Sequence, residues 1–145
     1  MGFHFTLQKV LEYKGQLEDQ AKIELARVQH LRLEEQQRAQ ALKKLLHEQE
    51  NVLYSNALIS AGERWLLEHF IRGLREDLQS SLMRLRTLTH MEAEALNMLR
   101  ERAKDKKILE KLKDRQRKNY EHEERCKEQR TYDETATLRF KAASF

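Results

Sequence analysis

One feature constrains this chain more than any other: a seven-residue apolar repeat that is broken once, at Asn56-Ala57-Leu58-Ile59-Ser60-Ala61-Gly62. Before the break, Phe3, Val10, Leu17, Leu31, Leu45 and Val52 share one column of the repeat, and Leu7, Ala21, Val28 and Leu42 share its companion. After it, Leu67, Leu74, Leu88, Ala95 and Leu109 alternate with Ile71, Leu78, Leu85 and Leu99. A 3-4-3-4 spacing lays a narrow apolar stripe along an α-helix, and such a stripe is buried by a second helix. The expected fold is all-α: two long helices in an antiparallel coiled-coil hairpin, forming one domain over residues 1–145. Helix one is expected over about 4–53, the turn over about 54–60 and helix two over about 60–140. Ser60 and Glu63 read as an S-x-x-E capping box for the second helix.

Composition agrees with that pattern. The chain has no proline, four glycines, 36% charged residues and a mean hydropathy of −0.87, which suits an exposed helix pair better than a compact globule. No apolar run is long enough for a transmembrane helix, and the first residues do not read as a secretory signal. Gly2 and Thr6 are spaced as in a myristoylation signal, but bulky Phe3 and Phe5 fit the heptad, and the match reads as coincidence. The single cysteine, Cys126, points to a reducing compartment and reads as an incidental surface residue.

The two expected helices differ in length, roughly 75 Å against 120 Å at 1.5 Å per residue. With the fold-back centred near residue 57, Phe3 is expected opposite residue 112 or so. Through Leu109, nine of thirteen seam positions in the second helix are apolar. Lys113, Gln116, Glu123, Lys127 and Arg130 continue the register, and only Tyr120 breaks that polar run. An unpaired C-terminal extension of about 35 residues is therefore expected, and a lone helix needs an external partner for stability. Glu24, Glu35, Arg38, Glu92, Arg102 and Lys106 also fall in the apolar columns, where long side chains snorkel to water.

Charge is uneven. Residues 1–99 carry 13 basic and 14 acidic side chains, whereas residues 100–130 carry 13 basic and 8 acidic. A basic helix meets nucleic acid, anionic lipid or an acidic protein surface. No glycine-rich phosphate loop occurs, and the six histidines show no His-Glu-x-x-His or Glu-x-x-His spacing. The expected protein is not an enzyme, holds no metal or cofactor, and works by binding.

The N-terminus reads Phe3-x-Phe5-x-Leu7-x-Lys9-Val10-Leu11-x-Tyr13-Lys14, and Gly62 precedes an aromatic, leucine-rich helix start at Trp65-Leu66-Leu67-Glu68-His69-Phe70-Ile71. Near the C-terminus stands Tyr132-Asp133-Glu134-Thr135-Ala136. With these segments in this order the chain resembles the flagellar export protein FliJ family, of the flagellar type III secretion apparatus. The resemblance implies a coiled coil similar to the central stalk of rotary ATPases. Such a stalk enters the hexameric export ATPase, contacts the cytoplasmic linker of the export gate and, in some members, handles export chaperones. It also implies a cytoplasmic protein held at the inner membrane through the export apparatus, with no membrane insertion.

Carried over residue by residue, the gate surface falls on Phe70, Leu74, Asp77 and Ser81. Asp77 and Ser81 depart from it towards polarity, and Leu74 doubles as a seam residue. The ring-facing set is Lys104, Lys106, Lys107, Lys111, Lys113, Arg115, Arg117 and Lys118, whose structural alternative is a solvated charged face. Two other readings stay open: a stalk protein of a virulence-type secretion system, and a basic coiled coil on nucleic acid. The Phe3-x-Phe5 opening and Asp133-Glu134 favour the flagellar version; base-stacking aromatics are sparse, so nucleic acid is not expected.

Overall fold

The computed structural model describes residues 2–55 and 58–144. Two helices account for nearly all of them: α1 (Gln8–Ser55) and α2 (Ala61–Ser144). They pack against each other as an all-α helical hairpin. The expected turn falls partly on Asn56 and Ala57, which lie outside the described residues, as does the fold-back centre near residue 57. Ser60 caps α2: its hydroxyl accepts the Glu63 backbone N–H at 3.2 Å, and its carbonyl accepts the Arg64 N–H at 2.9 Å. That is the forward half of the capping box, and it satisfies donors that a helix start leaves unpaired.

Packing divides the chain into two compact units, residues 19–100 and residues 1–18 with 101–145. In the first, Ala21, Val28 and Ala39 of α1 and Ile71, Leu74 and Ser81 of α2 are buried. On α2 both expected columns face inward, from Leu67 and Ile71 through Leu78, Leu85 and Leu88 to Ala95 and Leu99. On α1 only the companion column does. The column that includes Leu31, Leu45 and Val52 lies at the edge of the seam, with Val52, Glu24 and Arg38 exposed. The inward column is one residue further along: Leu25, Arg32, Ala39, Leu46 and Leu53. Arg32 there forms an ion pair with Glu92 of α2. Beside it, Glu50 accepts hydrogen bonds from Arg75, the nearer at 2.9 Å. Leu25, Leu46 and Leu53 supply the apolar bulk of this column, and cross-helix pairing accommodates Arg32 within it.

The other unit begins before α1. The sequence predicts a helix from about residue 4, yet residues 2–7 are not helical, and Phe5 is 3% exposed. Residues 6–7 form a turn, closed where the Gln8 N–H donates to the Phe5 carbonyl at 3.2 Å, and ahead of it Phe5 is buried and Phe3 half-buried. Phe3 lies against Tyr120, with ring centroids 5.8 Å apart. Gln8 accepts a hydrogen bond from Lys113 Nζ at 2.8 Å, and Lys14 pairs with Asp105 at 3.7 Å. Phe3 therefore sits about eight residues further along α2 than the expected position near 112. The offset is already present within α1, where Gln8 meets Lys113 and Glu18 lies near Lys106, so this N-terminal strap continues the register of the helix pair rather than setting it. Tyr120 is half-buried, and the fully exposed end of α2 is shorter than expected: every residue from Arg125 to Ser144 is exposed.

Candidate functional site

The first surface is the beginning of α2. Phe70, Leu74, Asp77 and Ser81 recur at i, i+4, i+7 and i+11 and so share one face, but that face straddles the edge of the seam. Phe70 is 50% exposed and Asp77 is exposed, whereas Leu74 is buried and Ser81 has no exposed surface. The Ser81 hydroxyl donates to Glu35 Oε1 at 2.6 Å, and Arg84 Nε donates to the same oxygen at 3.1 Å. The Ser81 hydrogen bond, followed by that of Arg84, holds the Glu35 carboxyl below its ordinary range against the opposing effect of burial. Leu74 and Ser81 thus serve the helix pair and offer a partner no surface.

Leu66, missed in the sequence, joins Phe70 on the open side: the two are one turn apart and both exposed. The signal was present in Leu66-Leu67, since only one of two consecutive leucines faces a seam. Trp65 is exposed too, and its ring stacks on His69 with centroids 4.8 Å apart. A groove of about 250 Å³ lined by Leu53, Tyr54, Arg64 and Ile71 lies in the same unit.

The second surface is basic. Of the eight cations expected to face a ring, Lys104, Lys107, Lys111, Arg115 and Lys118 are exposed and fall on one face of α2 at steps of three and four. The other three are engaged within the chain. Lys106 lies 3.9 Å from Glu18 and 3.8 Å from Glu110, Lys113 bonds Gln8, and Arg117 pairs with Asp114 at 3.0 Å. Among the described residues no cluster of His, Cys, Asp and Glu is arranged to hold a metal ion. No described helix is long and apolar enough to cross a membrane.

The described residues thus present an apolar edge and a basic face on a helical hairpin, several of whose polar groups pair across the seam. The model of the family described as "Flagellar FliJ protein" matches residues 3–144. The chain belongs to that family, and with it to flagellar protein export. No curated protein and no solved structure gives a significant match.

Proposed function

We propose that this chain is the stalk-like coiled coil of the flagellar type III export apparatus, binding the hexameric export ATPase and linking it to the export gate. The observation that carries the ring contact is the outward stripe Lys104, Lys107, Lys111, Arg115 and Lys118, whose cations are not drawn into the seam. Lys106, Lys113 and Arg117 set the geometry of that region through their own partners rather than facing the ring. The gate's cytoplasmic linker docks on the edge formed by Leu66, Phe70 and Asp77, where an exposed aromatic supplies an anchor. Leu74 and Ser81 hold that edge from beneath. Export chaperones are further partners, and the working location is the cytoplasmic face of the inner membrane, reached through the apparatus.

The test is hydrolysis by the cognate export ATPase with and without the full chain, read together with the hexamer fraction. Faster hydrolysis with more hexamer is expected, and charge reversal at Lys107 and Lys111 removes both effects. No stimulation and no co-elution, with both proteins folded, would end the ring reading. Phe70→Ala separates the gate: it weakens binding to the linker while helicity stays unchanged.

A further inference from the structure

The basic stripe does not stop at Lys118. The same three-and-four stepping passes through His122, Arg125 and Gln129, and then the face turns apolar at Tyr132, Ala136, Phe140 and Ala143. Every position on this line is exposed, Tyr132 at 69% and Phe140 at 75%. Two carboxylates, Asp114 and Asp133, share this face, while Glu110, Glu121, Glu123 and Glu128 lie elsewhere around the same helix. Both aspartates are engaged: Asp114 pairs with Arg117 at 3.0 Å, and Asp133 accepts from Gln129 Nε2 at 3.1 Å. The result is one face, about 58 Å long at 1.5 Å per residue, cationic over its first half and apolar with aromatic side chains at its end.

We propose that this face adsorbs on an anionic lipid bilayer, with α2 lying along the surface. The cations meet lipid phosphates, and Tyr132 and Phe140 sit at the boundary of headgroups and acyl chains. A plane accepts a straight line of charges along its whole length. A nucleic acid uses the cations, but its grooves curve away from a straight helix about 58 Å long, so the line of charges and the apolar end do not meet it together. The helix lies on the membrane without crossing it, since no described helix is apolar enough to span. The inference goes beyond the ring reading. Because Lys104 to Lys118 are also the cations offered to the ATPase, membrane and ring compete for them.

Flotation of the full chain tests this without the ATPase, so its outcome is separate from the fate of the ring reading. The vesicles are phosphatidylcholine alone, or phosphatidylcholine with about one third phosphatidylglycerol. Binding is expected on the anionic vesicles only, weakening as salt rises. Lys107→Gln with Lys118→Gln lowers the partition coefficient about twenty-five-fold, near fivefold for each cation. Phe140→Ala lowers it severalfold while leaving the salt response unchanged. All three positions are exposed, so circular dichroism of the variants matches the parent. The proposal falls if the parent does not float with anionic vesicles. It falls equally if Phe140→Ala has no effect while a single-stranded RNA binds more tightly and with the same lysine dependence.

Discussion

At the scale of single residues, Glu35 is the most informative side chain. It is half-buried between helices, and the Ser81 hydroxyl and the Arg84 guanidinium both donate to it. Its native pKa lies below the ordinary carboxylate value, so the ionised form is favoured by folding. That contribution is complete above the unfolded carboxylate pKa of about 4.3 and is lost as pH falls through the native value. Stability against urea should therefore drop more steeply on acidification in the parent than in Glu35→Gln; parallel curves would sink this account. Ser81→Ala removes the shorter donor and is expected to cost about 1–2 kcal/mol at neutral pH. Its readout is the denaturation midpoint, and an unchanged midpoint would show that water replaces the hydroxyl without loss.

At the scale of elements, α2 was legible in the sequence and α1 only half so. Both columns of α2 are marked by large aliphatic residues, and both face inward. On α1 the inward column carries Leu25, Leu46 and Leu53 but also Arg32 and Ala39, and the column beside it carries Leu31, Leu45 and Val52, so apolar content alone separates the two poorly. The two columns stand about 100° apart on the helix, and cross-helix pairs such as Arg32–Glu92 go with the inward one. The non-helical strap at Phe3 and Phe5 was hidden for a related reason: Phe3 fits the heptad column, and only the tertiary contacts, such as that of Phe3 with Tyr120, show where it lies. Gly73 offers a test within α2. An added Cβ there meets nothing within 4 Å, and the residue has no positive φ. Gly73→Ala should stabilise the protein by about 0.5–1 kcal/mol, seen as a rise in melting temperature. A fall would mean that the backbone at this point is not a regular helix in solution.

At the scale of the whole molecule, the position of the last covered residue matters most. Tyr120 lies against Phe3, Glu124 is half-buried, and everything from Arg125 to Ser144 is exposed. Deleting residues 125–145 should leave the thermal melt nearly unchanged. Deleting from residue 113 removes the Lys113 bond to Gln8 and the Tyr120 contact as well, and should lower it. Equal melts for the two truncations would remove the strap from the account of stability. The family and the helical hairpin follow from the sequence alone, because helix periodicity, the absence of proline and the Ser60 cap are local properties. Each is written within a few residues of where it acts. Tertiary structure alone decided the offset between the helices, the inward column of α1, the non-helical start and the engagement of Lys106 and Lys113. These depend on which side chains meet across residues far apart in the chain. Heptads of similar composition fit several offsets, and specific pairs such as Glu35 with Ser81 select one of them.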